Sequence, residues 1–137
     1  MQKVAFVREQ VVAVSALLAS RRKEEILGDP WLVRGLKYAL QTAVEAVIDV
    51  CYHVCARHYA YPPTDARDAL RALRQRGLIS EEELRLYAAM VGFRNKLVHG
   101  YEEVSPERVY DVAAHRLGDF ESFIRSILVL LEKKPQD

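Results

Sequence analysis

The sequence predicts an all-α protein: an up-and-down bundle of four to five helices filling residues 1–134 as a single domain, with 135–137 as a short tail. Two patterns predict it. Apolar residues recur at steps of three and four over long stretches, which places them on one face of a helix. Between those stretches stand helix stops and starts: Gly28-Asp29-Pro30, Pro62-Pro63, Ser80-Glu81-Glu82-Glu83 and Ser105-Pro106. No useful length alternates apolar and polar residues with period two, the pattern of a half-buried strand.

The first stripe is Val4, Val7, Val11, Val14 and Leu18, closed by Gly28. Asp29 then caps the second helix and Pro30 takes its first position, where a missing N–H costs nothing. Its stripe runs Leu32, Leu36, Ala39, Ala43, Val47, Val50, Val54 until Pro62-Pro63 breaks it. Thr64 is expected to cap a short third helix with Ala66, Ala69, Leu70 and Leu73 inward and Gly77 at its end. Ser80 and Glu83 form a capping box, each side chain satisfying a free backbone N–H, with Ile79 and Leu84 as the hydrophobic staple. The fourth helix therefore runs from about Glu81 to His99, with Gly100 at its C′ position. Ser105-Pro106 starts a fifth, whose stripe is Val109, Val112, Leu117, Phe120, Ile124, Ile127 and Leu131, stopped by Pro135.

Composition bounds the function classes. With 20 Lys+Arg against 19 Asp+Glu the chain carries a formal charge of +1, which argues against a non-specific nucleic-acid coat but allows a local basic patch. A chain of 137 residues buries about two-thirds of its unfolded surface, so it needs no metal or disulfide staple. The two cysteines share one apolar segment, the usage of a reduced intracellular protein. The first apolar run meets Arg8 too soon to be a signal-peptide core, and no uninterrupted apolar run nears the roughly 20 residues of a membrane span. The expectation is a soluble, cytoplasmic protein with no membrane association.

The fourth helix carries the anomaly. On a wheel advancing about 100° per residue, Leu84, Tyr87, Ala88, Val91 and Val98 cover one arc and Leu86, Met90, Phe93 and Leu97 a second. Together they span roughly 220°, twice the usual stripe, so the helix needs cover on two sides, from its own bundle or from a partner chain. Arg94 falls between the arcs, Asn95 within the first and His99 at its edge. A guanidinium among apolar side chains is costly unless it is paired or faces a wet cleft. Either it forms a buried salt bridge beside a helix-capping His, or it marks a site.

Arg plus His supplies a particular chemistry. No Asp/Glu cluster at metal-ligand spacing lies nearby, which disfavours a metal-dependent nuclease. An imidazole can take a proton from an RNA 2′-hydroxyl or return one to a leaving 5′-oxygen, while a guanidinium holds the phosphate and its developing charge. One chain offers only one such His, so a symmetric dimer would supply the second catalyst.

The string Arg94-Asn95-Lys96-Leu97-Val98-His99-Gly100-Tyr101 resembles the R-x4-H-x-Y signature of the HepT-like toxins, small helical ribonucleases of the HEPN superfamily. Gly92-Phe93, Ser105-Pro106, Val109-Tyr110 and Gly77-Leu78-Ile79-Ser80 extend the likeness over nearly the whole chain. The resemblance implies a HEPN-like bundle and a metal-independent endoribonuclease without cofactor, the toxin of a toxin–antitoxin pair. Arg94 and His99 would be the catalytic pair in a composite homodimer site acting on RNA, and Asn95 the polar residue supporting them. Tyr101 would be the residue that a cognate minimal nucleotidyltransferase antitoxin AMPylates, blocking RNA by bulk and charge. The alternative is a non-catalytic helical module that binds nucleotide or partner alongside a nucleotidyltransferase subunit.

Other clusters have plainer roles beside any functional one. Arg67, Arg71 and Arg74 form a basic stripe flanked by Arg57 and Arg76; a solvated face is the default, and RNA phosphate contacts the functional alternative. Cys51, Cys55 and His58 share a helix face but make a poor zinc site without a fourth ligand, so buried thiols are expected. Tyr52, Tyr59 and Tyr61 read as packing at a helix end, His53 and His115 as structural. Glu102, Glu103 and Glu107 suit antitoxin docking better than RNA.

Overall fold

The chain is an all-α, up-and-down bundle in a computed structural model that describes residues 2–99 and 104–131. The helices are α1 (Gln2–Ser20), α2 (Lys23–Leu27), α3 (Pro30–Tyr59), α4 (Ala66–Gln75), α5 (Glu81–His99), α6 (Pro106–His115) and α7 (Leu117–Leu131).

The long α3 organises the rest. Asp29 accepts the N–H groups of Trp31 and Leu32 at its start, and Ala60 ends it in the left-handed region at φ 50°. Along its length α3 packs against α1, α2, α4, α5 and α6 and buries Leu36, Leu40, Val44, Val47, Val54 and six further apolar side chains in the main core. It is long and apolar enough to cross a membrane, yet 56% of its most apolar window is buried among the other helices, as in the central helix of a bundle. A stripe that is covered within the chain has no need of lipid.

Three boundaries differ from expectation. Asp65, not Thr64, caps α4: its carboxylate accepts the Asp68 N–H at 2.7 Å, while Thr64 donates its own N–H to Asp68 at 2.9 Å. The two residues thus lock the turn reciprocally. The expected fifth helix is two helices that part at Arg116. The stripe itself held the sign, because Val112 to Leu117 is a step of five in a rhythm of threes and fours. The five-residue α2 was too short to show periodicity, although its Ile26 is fully buried.

Other signals read as expected. Ser80 Oγ accepts the Glu83 N–H at 3.1 Å, and Glu83 reaches back to the Ser80 N–H at 2.9 Å. Ser105 caps α6 by accepting the Arg108 N–H. The expected C′ role of Gly100 lies outside the described residues. Cys51 and Cys55 are free, buried thiols, and Cys55 Sγ lies 3.6 Å from the Ala69 carbonyl oxygen. Burial pushes both thiols up from the ordinary cysteine range, which leaves them unreactive.

Most of the apolar excess of α5 is absorbed by the protein's own bundle. Tyr87 and Val91 from the first arc and Met90 and Phe93 from the second are all buried in one chain. Tyr87 meets the Phe123 ring edge-on at 5.5 Å. What stays uncovered is the C-terminal end, where Val98 is 44% exposed.

Candidate active site

Arg94 sits two-thirds of the way along α5, facing α3. Its Nε donates to Glu45 Oε2 at 3.3 Å and its Nη1 to Asn95 Oδ1 at 2.7 Å. Two of five N–H groups are thereby committed, and three remain to bind a phosphate. The side chains of Arg94 and Glu45 are 26% and 36% exposed, so the pair borders a wet cleft. That cleft, about 570 Å³ in volume, is lined by Asp49, Tyr52, Asp65, Arg67, Val91, Arg94 and Asn95 among others.

Glu45, Asp49 and Tyr52 are the parts that the sequence reading did not pick out. They recur at steps of four and three on α3 and bring one helix face to the Arg94 cleft. Glu45 carried a signal of the same kind as Arg94, a charge within an apolar stripe, between Ala43 and Val47. Tyr52 belongs both to the core margin and to the cleft.

His99 is exposed at the end of α5 and is not among the residues lining the Arg94 cleft. Five residues of helix separate the two by about 7.5 Å of rise and some 140° of rotation. Asn95 is one turn before His99 and touches Arg94, so it stands between them. Tyr101 lies outside the described residues, as do Glu102 and Glu103.

The basic stripe divides. Arg67 lines the Arg94 cleft, and one of its guanidinium nitrogens would lie 3.3 Å from a Cβ placed on Gly92. Arg71 reaches Asp68 at 3.9 Å and Arg74 pairs with Glu81 at 2.7 Å, so α4 brings only Arg67 to the cleft. Arg76 stacks on the rings of Tyr59 and Tyr61 at 5.4 and 5.0 Å, which accounts for those aromatics as packing. His115 approaches Asp111 at 3.7 Å, and His53 is exposed. Among the described residues no group of three or more His, Cys, Asp or Glu is placed to hold a metal ion.

A family model described as "Ribonuclease HepT-like" matches residues 7–127, most of the chain and the whole of α5. The chain belongs to the HepT-like ribonuclease family. Among HepT-like relatives, the mRNA nuclease HepT of Shewanella oneidensis is 38% identical over 85 residues, 62% of this chain and 64% of that protein. The tRNA nuclease HepT of Aphanizomenon flos-aquae is 26% identical over 98 residues, 69% of this chain and 67% of its own. The matched stretches thus span about two-thirds of these relatives' lengths.

Solved structures cover more. A tri-AMPylated Shewanella oneidensis HEPN toxin in complex with an MNT antitoxin superposes with a TM-score of 0.84 at 29% identity, over 93% of this chain and 95% of that one. A toxin–antitoxin structure with AMP-PNP gives 0.81 at 28% identity, over 92% and 95%. The HepT-like fold is therefore shared from α1 to α7, including the helix that carries Arg94 and His99.

Proposed function

We propose that this HepT-like protein is the toxin of a toxin–antitoxin pair and a metal-independent endoribonuclease working in the cytoplasm. The observation that carries the reading is Arg94, presented at a wet cleft by Glu45 and Asn95 with three N–H groups to spare, inside the R-x4-H-x-Y string of a HepT-like chain. Arg94 would hold the scissile phosphate and stabilise the charge that builds on it as the 2′-oxygen attacks. His99 would take the 2′-hydroxyl proton or return one to the leaving 5′-oxygen. Asn95, hydrogen-bonded to Arg94, keeps the guanidinium turned to the cleft.

Within one chain Arg94 and His99 face different sides of α5, and a single His supplies only one proton-transfer group. A homodimer meeting near the uncovered end of α5, at Val98, would set two Arg/His pairs together and complete the site. The toxin in complex with an MNT antitoxin, itself tri-AMPylated, supports an analogous partner here: a minimal nucleotidyltransferase that AMPylates Tyr101. The added phosphates would stand two residues from His99 and repel RNA.

The test is cleavage of mixed RNA by antitoxin-free protein in EDTA, with His99→Ala as control and the intact mass showing Tyr101 unmodified. Products ending in 2′,3′-cyclic phosphate that vanish in the variant are the expected result. Unmodified protein that leaves RNA whole would instead indicate a binding module working with a nucleotidyltransferase.

A further inference from the structure

A second cleft opens on the other side of α5, and among the described residues the charged side chains that line it are all cations. About 510 Å³ in volume, it is lined by Arg67, Ala89, Gly92, Phe93, Lys96, Val104, Ser105 and Arg108. That volume lies within the range of ligand sites, roughly 300–1,000 Å³. Three cations from α4, α5 and α6 converge on it, Arg108 sharing its Nη1 with Asp111 at 3.2 Å, and among the described residues no carboxylate lines it. The Arg94 cleft differs, since Asp49 and Asp65 stand beside its two arginines. Ser105 caps α6 at the rim, so the partly positive end of that helix adds to the field.

The two clefts connect. Arg67 lines both, its guanidinium resting over Gly92, where any side chain would crowd it. On the α5 wheel Asn95, His99 and Gly92 fall within about 60° of one another and form the ridge between the clefts. A strand crossing that ridge at His99 would have Arg94 on one side and Lys96 with Arg108 on the other.

We propose that Arg67, Lys96 and Arg108 bind the sugar–phosphate backbone of the RNA strand next to the scissile position, as a subsite that positions substrate and takes no part in bond breaking. This rests on the ribonuclease reading for the identity of the nucleic acid. Cations that contact phosphates read no base, so the cleft adds affinity and salt dependence without sequence preference.

The experiment measures binding apart from cleavage. Full-length His99→Ala protein is titrated with short single-stranded RNA at salt from about 50 to about 200 mM, alone and combined with Arg67→Gln, Lys96→Gln or Arg108→Gln. Each substitution should lower the slope of log Kd against log salt by about 0.7, and all three by about 2, because each lost phosphate contact releases fewer counterions. Arg125→Gln, an exposed cation on α7 outside the cleft, serves as the control and should leave the slope unchanged. Circular dichroism melting checks that each variant is folded.

An unchanged slope in the folded triple variant overturns the proposal. So does an unchanged slope with weakened antitoxin capture, which would make the cleft a protein-docking face. If wild-type protein fails to cut RNA while the slope still falls, the ribonuclease reading fails and the RNA-binding cleft stands.

Discussion

Arg94 on α5 donates its Nε–H to Glu45 on α3 across 3.3 Å, tying the motif helix to the central helix of the bundle. Both side chains are partly exposed, and ion pairs of that kind contribute about 1 kcal/mol or less. The pair matters for orientation more than for stability. Arg94→Lys keeps the charge but loses the planar fork that can hold Glu45, Asn95 and a phosphate together. We expect RNA cleavage in EDTA to fall about 100- to 1,000-fold, as when one preorganised donor is removed from an active site. The melting temperature should stay within a few degrees of wild type.

Glu45 is a positioning residue on this geometry. Glu45→Ala should lower the single-turnover cleavage rate about tenfold, equivalent to about 1.4 kcal/mol of barrier. Glu45→Gln retains an acceptor at the same reach and should recover part of the loss. Equal rates for both variants and wild type, each with an unaltered melting curve, would show that Arg94 orients itself.

Gly92 separates fold from function. Alanine is favoured over glycine inside a helix by about 1 kcal/mol, and the atom its Cβ would meet at 3.3 Å is the tip of the flexible Arg67 side chain. Gly92→Ala should therefore melt no lower than wild type while RNA affinity falls several-fold as Arg67 is displaced. A matched loss of stability and affinity would point to backbone strain instead.

Acid should loosen the bundle at the start of α5. Burial raises the Glu83 carboxyl, but the N–H of Ser80 and the hydroxyls of Tyr87, Ser80 and Ser122 outweigh it, so its pKa falls below the ordinary 4.5. A carboxylate depressed in the folded state adds stability above its ordinary pKa and loses it as pH drops through the folded value. Asp68 behaves alike, held down by the Thr64 N–H and the Tyr61 hydroxyl, whereas burial raises Asp119 and works the other way. Thermal melts should show the melting temperature falling as pH drops below about 4.5, with a shallower fall in Glu83→Gln.

The residues that stand in the sequence as violations of a local rule are the ones that the fold uses. Arg94 breaks an apolar wheel, and the structure gives it a cleft and two partners. Helix starts were legible because caps are local chemistry: Asp29, Ser80 and Ser105 each accept the expected N–H. The breadth of the α5 stripe was legible but its meaning was not, since tertiary packing alone decides whether an arc meets its own chain. Nothing in the sequence ties Lys96 to Arg108, twelve residues further on. Only the meeting of α4, α5 and α6 puts them with Arg67 in one cleft.

Glu83 serves two ends at once, closing the first turn of α5 through Ser80 at 2.9 Å and fastening that turn to α7 by accepting the Ser122 hydroxyl at 3.2 Å. Arg94 stands eleven residues further along the same rigid rod, about 16 Å away. The near end of a rod helps fix where its far end points, so losing the Ser122 tie should loosen the hold on the guanidinium at Glu45. A genetic screen for lost RNA cleavage should thus return changes at Ser80, Glu83 and Ser122, positions that no substrate touches.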